Sequence, residues 1–589
     1  MAHHIMVIPT EQSIIKLIEE QQNIYDKLLE FIKHPTKKEI LLIGYAGTGK
    51  TTLMAKFIFD VIEKKECKKI VMAAPTHKAV GIAKAKLFDN INNITELSNN
   101  INIMTIHRLL NYQAYIGLNG ENYFAMSKNK PNWSLYNVII VDECSMLSNQ
   151  IISDIRGQLN SSENNSKVKI IYVGDPAQLP PVNQNKSEIF NCGLEILELN
   201  KIIRTNNNNI MELSNAHRKW IFSQKMEDIP RIGNYVCENI KVFSSDGREL
   251  KIWLDHFLCG IRNIRPNYKI KSELKAETNN EENKENIIKE EVKEQFKETM
   301  YPIEIVGEIP IQKHNENIIL TWTNRKAQSY NQYVREKLFN KINLDYYEEG
   351  EILIFGDYYR IRVTDNYENE EDNNTKPRKV EVVSFYTSEQ VKLMSLDKTK
   401  FTFDKIIFKT NGNLTDELNQ KFRNKTKSIN KLLDNQIDIF KLHVVRVSEL
   451  KKENIKAIVE YEVLSIHPEV YKKYCDINDT FDKKMLKLKN ICYKIINKTN
   501  DDNMEKATMQ LEVEKKINRL YKEWQVNVKD PFAEIHYGYA ITVHKSQGST
   551  FKNVFIDMSD ILENNNISET SKCLYTALTR ASSTLKLLV

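Results

Sequence analysis

Apolar residues recur at helical spacing through Ile14, Ile15, Leu17, Ile18, Ile24, Leu28, Leu29 and Ile32, and lead into the unbroken run Ile40-Leu41-Leu42-Ile43. A run of that length predicts a buried strand, and the spacing of Leu53, Phe57, Ile58 and Val61 predicts a helix after it. Val138-Ile139-Ile140-Val141 and Ile170-Ile171-Tyr172-Val173 predict two further strands, and Ile318-Ile319-Leu320-Thr321 predicts another much later in the chain. In residues 111–133 an Asn119-Gly120 pair is flanked by Tyr112, Tyr115 and Ile116 on one side and Tyr123, Phe124 and Met126 on the other, which predicts a β-hairpin. Short strand-like runs at residues 351–355, 358–363, 380–386, 401–408, 441–447 and 457–466 suit a small β-barrel. Met485, Leu488, Cys492 and Ile495, then Val513, Ile517, Leu520 and Trp524, flank the polar break 497–503 and predict a helical hairpin. The class is therefore α/β with inserted elements.

A chain of 589 residues is too long for one core and implies several domains. Its 41% hydrophobic and 28% charged residues, with no apolar run near the roughly 18 residues of a membrane span, exclude membrane insertion. The first residues lack the basic start and apolar core of a secretory signal, so an intracellular protein is expected, with cytoplasm and nucleus both open. Abundant Asn, Lys and Ile point to an AT-rich genome, such as that of a virus. The eight cysteines are scattered without a C-x-x-C pair, which argues against zinc and for reduced thiols. A net charge of +6 permits a polyanionic partner without requiring one. Residues 266–300, rich in Lys, Glu and Asn, read as a solvated linker.

Candidate chemistry begins directly after the first strand with Gly44-Tyr45-Ala46-Gly47-Thr48-Gly49-Lys50-Thr51-Thr52. Glycines at this spacing let backbone N–H groups close around phosphate oxygens at a helix N-terminus, while the lysine reaches the terminal phosphates and Thr51 suits Mg2+. Asp142-Glu143 ends a second strand, which puts both carboxylates at the carboxyl edge of the sheet, beside the phosphate loop if the two strands are neighbours. Asp142 would hold Mg2+ and Glu143 would deprotonate the attacking water, so ATP hydrolysis coupled to work is expected.

The next strand ends in Gly174-Asp175-Pro176-Ala177-Gln178-Leu179-Pro180-Pro181-Val182, and this stretch resembles the third motif of the superfamily 1 helicases, in the form of their 5′→3′ branch of RecD-like and Dda-like enzymes. The resemblance implies two RecA-like P-loop lobes, with Gln178 touching the γ-phosphate. It implies that Gln21 reads adenine, that Pro75, Thr76, His77, Thr105 and His107 grip a sugar-phosphate backbone, and that Arg204 reaches ATP. Near the C-terminus Thr542-Val543-His544-Lys545-Ser546-Gln547-Gly548 resembles the motif coupling nucleic acid to ATP, and Tyr575-Thr576-Ala577-Leu578-Thr579-Arg580 carries a second arginine. Two arginines suit phosphoryl transfer, because charge spread over the γ-phosphate is stabilised by cations delivered as a cleft closes.

The same resemblance makes the hairpin a duplex-splitting element, with Tyr115, Tyr123 or Phe124 stacking on the last base pair. It makes the β insertion an SH3-like module and the helical hairpin a tower. The implied domains are a first lobe at 1–265 with its hairpin at 111–133, the linker 266–300, the start of a second lobe at 301–345, the β module at 346–467, the helical hairpin at 468–530 and the rest of the second lobe at 531–589. The implied function is an ATP- and Mg2+-dependent 5′→3′ DNA helicase acting on single-stranded DNA and forked duplex as a monomeric motor, with replication or repair proteins as partners. A single-strand translocase, an RNA helicase and a non-catalytic nucleic-acid-binding subunit are the alternatives.

Overall fold

The computed structural model describes residues 17–88, 100–116, 122–127, 131–161, 167–181, 184, 186–201, 208–262, 317–341, 343–364, 380–407, 414–450, 459–499 and 502–589. The chain forms β1 (Glu39–Gly44), β2 (Ile70–Ala74) and β3 (Ile101–Thr105), makes a hairpin of β4 (Tyr112–Ile116) and β5 (Asn122–Met126), and returns with β6 (Val138–Val141), β7 (Lys169–Gly174) and β8 (Ile196–Leu199). Six of these build one parallel sheet in the order β3-β2-β6-β7-β1-β8. Every residue of β2, β6 and β7 is buried, because helices cover both faces. Alternate residues serve opposite faces: Ile40, Leu42 and Ile140 pack with the helices Glu19–Lys33 and Lys50–Glu63, while Leu41, Ile139 and Val141 pack with Asn149–Leu159. The strand carrying Asp142 is not adjacent to β1; β7 runs between them.

The second sheet, in the order β18-β10-β19-β20-β9, is also parallel and contains β9 (Ile240–Phe243), β10 (Asn317–Thr321), β18 (Ala540–Thr542), β19 (Phe551–Asp557) and β20 (Ala581–Leu588). The expected first-lobe limit at residue 265 is therefore too late. β9 already pairs with β20, and the helices Asn208–Ser223 and Gly247–Arg262 pack on this second body through Leu213 and through Trp253, Leu254 and Phe257. A charged stretch marks a change of composition, whereas burial decides which body a helix joins. The linker 266–300 and residues 301–316 of the expected lobe start at 301–345 lie outside the described residues.

Between β10 and β18 lies an antiparallel sheet, β16-β15-β14-β11-β17, with a two-stranded ribbon of β12 and β13. Its strands are β11 (Ile352–Phe355), β12 (Tyr359–Thr364), β13 (Val380–Phe385), β14 (Gln390–Phe401), β15 (Ile437–Arg446), β16 (Tyr461–Ile466) and β17 (Ile535–Tyr537). Two details differ from expectation. Residues 402–407 form no strand, and the long β14 precedes them instead. β17 arrives only after the helical hairpin, so a segment expected in the second lobe closes the module's sheet against β11. The helical hairpin itself consists of Pro468–Lys498 and Asn503–Trp524, broken where the polar residues predict. Pro468 opens the first helix, where its missing N–H costs nothing, and the Asp502 side chain caps the second. Phe481 and Trp524 stack between them with ring centroids 4.0 Å apart. The Asp416–Asn430 helix, which no strand-like or helical spacing announced, adds Leu418 and Phe422 to the same core.

Candidate nucleotide site and nucleic-acid grip

The phosphate loop follows β1 and wraps the start of the Lys50–Glu63 helix. Gly47 and Gly49 have φ of 87° and 80°, the left-handed region that a side chain resists, so the loop depends on glycine there. Lys50 folds back onto it, its Nζ donating to the Gly44 and Tyr45 carbonyls at 2.8 and 2.9 Å. Thr48 is buried, and its hydroxyl donates to the Tyr45 carbonyl at 3.0 Å. Gly44 and Thr48 thus shape the loop, while Gly47, Gly49, Lys50, Thr51 and Thr52 line the cleft above it.

That cleft, of about 400 Å³, is completed by Gln21 and Ile18 ahead of the loop, by Asp142, Glu143 and Gln178 from the ends of β6 and β7, and by Gly548 and Arg580 from the second body. The volume suits a small-molecule ligand. Gln21 is held in place, its Nε2 donating to the Thr48 carbonyl at 3.1 Å and its Oε1 accepting from the Ile18 N–H. Glu143 adopts a left-handed backbone at φ 51°, its N–H donating to Asp142 Oδ1 at 2.9 Å. A non-glycine residue held this way stores strain that neighbouring structure must sustain. Burial pulls the Lys50 ammonium down from its ordinary range, against the opposing charges of Asp175, Glu143 and Asp142. Thr51 and Asp142 face the same cleft and offer a hydroxyl and a carboxylate, hard oxygen donors of the kind Mg2+ takes in ones and twos alongside phosphates.

Arg580 is buried, with Nε donating to the Thr576 carbonyl at 2.9 Å and Nη1 to the Ser549 carbonyl at 3.1 Å. Gln547 does not line the cleft. Its Nε2 lies 3.5 Å from the Leu179 carbonyl, next to Gln178, and so links the second body to the Gln178 segment. Arg204 lies outside the described residues.

The expected backbone-gripping residues occupy equivalent strand ends. β2 and β3 are neighbours, as are β10 and β18, and each pair ends at the same edge of its sheet. Thr76, Thr105 and Thr542 each accept the N–H three residues on, capping the helix that follows. Pro75 sits half-buried ahead of the first cap. His77 stacks flat on Tyr358 of the inserted module, ring centroids 3.9 Å apart, and His107 meets Tyr112 edge-on at 5.4 Å. His544 is half-buried, 4.0 Å from Glu569. Partial desolvation lowers all three histidines, which favours their neutral forms. The Lys545 carbonyl accepts from Lys78 Nζ at 3.1 Å and from the Ser388 hydroxyl at 2.9 Å, so first sheet, second sheet and inserted module meet at one atom.

β4 and β5 pair as the expected hairpin with Tyr115 opposite Tyr123 and Ala114 opposite Phe124; its turn lies outside the described residues. Trp133, at the end of that segment, is core, its Nε1 donating to the Leu109 carbonyl. Sequence reasoning passed over Arg218, Lys78 and the side-chain role of Tyr575. Arg218 and Tyr575 bond Asp175 from the second body, and Lys78 bonds the Lys545 carbonyl. A charged Arg218 on a helix that otherwise buries Leu213, Trp220 and Ile221 was the one signal that could have found it.

Residues 30–184 match the model of an AAA domain, and residues 537–588 match that of a UvrD-like helicase C-terminal domain. Uncharacterized protein R530 of Acanthamoeba polyphaga mimivirus is 29% identical over 585 residues, covering 97% of this chain and 99% of its own length. The RecBCD enzyme subunit RecD of Buchnera aphidicola (subsp. Schizaphis graminum) is 32% identical over 201 residues, 31% of each chain. The ATP-dependent DNA helicase dda of Enterobacteria phage T4 is 29% identical over 174 residues, 30% of this chain and 35% of its own. The chain thus matches nearly the whole viral protein but spans about a third of the RecD subunit and of the phage helicase. Among the described residues no helix is long and apolar enough to cross a membrane.

Proposed function

We infer that the chain is a superfamily 1 helicase of the RecD-like and Dda-like branch, an enzyme that spends ATP to separate DNA strands. One observation carries this: a single cleft gathers Lys50, Thr51, Asp142, Glu143 and Gln178 from one parallel sheet with Gly548 and Arg580 from the other. A nucleotide bound there touches both bodies, so its hydrolysis and release change how they sit together.

Lys50 and the loop N–H groups hold the ATP phosphates, Gln21 faces the base, and Thr51 and Asp142 would hold Mg2+. Bound Mg2+ supplies charge neutralisation on the phosphate oxygens. Glu143 takes the proton of the attacking water, Gln178 senses the γ-phosphate, and Arg580, joined by Arg204, stabilises its developing charge. The single strand runs along the strand ends at Pro75, Thr76, His77, Thr105 and His107 in one lobe and Thr542, His544 and Lys545 in the other. Each capping threonine accepts through its oxygen and retains an O–H for a phosphate. Alternating grip by the two lobes yields stepping, in the 5′→3′ sense of the branch. The β4–β5 hairpin splits the duplex with Tyr115, Tyr123 or Phe124 as the wedge. The antiparallel insertion serves as the SH3-like module and the helical hairpin as the tower. The protein works as a monomer on forked DNA alongside replication or repair proteins, and its likeness to a giant-virus protein along 97% of the chain supports a viral origin.

Lys50→Ala tests the assignment. Single-strand-stimulated ATP turnover should disappear while strand binding persists; full turnover in the variant contradicts it.

A further inference from the structure

Asp175 is completely buried at the end of β7, three residues before Gln178, and it does not line the nucleotide cleft. Its Oδ1 accepts the Ala177 N–H at 3.0 Å and an Arg218 guanidinium N–H. Its Oδ2 accepts the Tyr575 hydroxyl at 2.8 Å. Both side-chain donors belong to the second body. Arg218 lies on the Asn208–Ser223 helix, Tyr575 on the Ile567–Leu578 helix, and the two helices share one core with β19 and β20. The same two side chains also touch the phosphate loop. The Ala46 N–H donates to the Tyr575 hydroxyl at 3.3 Å, and the Arg218 guanidinium carbon lies 4.1 Å from the centre of the Tyr45 ring.

We propose that Asp175, Arg218 and Tyr575 form a latch between the lobes, positioning residues that tie the state of the phosphate loop and the Gln178 segment to the helix leading into Arg580. The proposal rests on the helicase reading. Its physical basis is competition for one proton. A backbone N–H makes one good hydrogen bond, so a phosphate that takes the Ala46 N–H takes it from Tyr575. Tyr575 stands five residues before Arg580, and its ring is packed against Ala177 and Ile221, so a change at its hydroxyl is felt on both sides of the cleft. Burial and the neighbouring Asp175 push the hydroxyl far above the usual phenol range, which keeps it protonated and donating. Arg218 stays paired with Asp175 while the hydroxyl is elsewhere, so the latch can open without leaving a buried carboxylate unpaired.

Tyr575→Phe deletes the hydroxyl and keeps the ring. ATP turnover of the full chain would be measured with and without an oligothymidylate, together with strand separation per ATP consumed and the thermal midpoint. The latch predicts a KM for ATP no higher than that of wild type, since the competitor for the Ala46 N–H is gone, a midpoint lowered only as far as one lost buried hydrogen bond requires, and a fall of about 10-fold in stimulation by the strand, the size of an ordinary coupling between sites. Arg218→Met should lower stimulation in the same direction. An unchanged stimulation ratio in both variants overturns the proposal, as does a raised KM, which would make Tyr575 part of the binding site itself. A lowered midpoint with the ratio preserved also overturns it, because packing alone would then explain the contact. Wild-type protein with no ATP turnover at all would instead sink the helicase reading, and the latch with it.

Discussion

Glu143 bears the most demanding position in the cleft, a left-handed backbone directly after a metal-type aspartate. Strain of that kind persists only where surrounding structure over-determines it, and here it aims a carboxylate into the cleft. Glu143→Gln should therefore cut turnover by about 10²–10⁴-fold, the worth of a positioned base, while ATP binding measured by titration stays intact. Lys78 offers a pH test. Burial, helped by the charge of Arg580, draws its ammonium down to about 7, while in the unfolded chain it titrates near 10.5. The folded protein binds fewer protons between those values, so this residue adds stability as pH rises from 7 towards 10. The midpoint of wild type relative to Lys78→Met should therefore be least favourable below pH 7, where the buried ammonium is charged, and should rise steadily towards pH 10, where that penalty is gone; parallel profiles would contradict the assignment. At this scale much was legible. Asp142 and Glu143 directly follow an apolar strand, and Lys50, Thr51 and Gln178 follow one after a short loop, the strand ends being where such chemistry sits. Arg218 and Tyr575 were not legible as partners, because the residues they bond, Asp175 in both cases, lie 43 and 400 positions away.

Contacts between elements explain a glycine that local propensity would have replaced. Gly81 lies inside the His77–Phe88 helix, where alanine is ordinarily better by about 1 kcal/mol. A Cβ there would stand 2.7 Å from the Tyr386 ring of the inserted module. Gly81→Ala should accordingly destabilise by about 1–3 kcal/mol, and in a Tyr386→Ala background the same change should stabilise, as read from thermal unfolding of the four proteins. The elements themselves were unevenly readable. Buried strands such as β6 and β7 announce themselves as apolar runs. β14 does not, since its fully buried residues, Val391 and Leu393, sit near its start, and exposed Asp397, Lys398 and Lys400 are interspersed among its later, only partly buried positions. The Asp416–Asn430 helix buries few residues among many polar ones and hides for the same reason.

At the scale of the molecule, two parallel sheets face one cleft, and an antiparallel module meets both at the Lys545 carbonyl. The order of these bodies was visible in the chain, but their boundaries were not, because β9 and β17 join sheets through pairing that no local pattern encodes. A chain that grips one strand with both lobes through phosphate contacts should bind single-stranded DNA less tightly as salt rises, with a linear log–log slope. The central claim is that nucleotide turnover in this cleft drives the protein along a strand and parts a duplex. The direct measurement is strand separation of a DNA duplex carrying only a 5′ or only a 3′ single-stranded tail, with ATP and Mg2+. Opening of the 5′-tailed duplex alone, lost in Lys50→Ala, is the predicted result; no ATP-dependent opening of either substrate would contradict it.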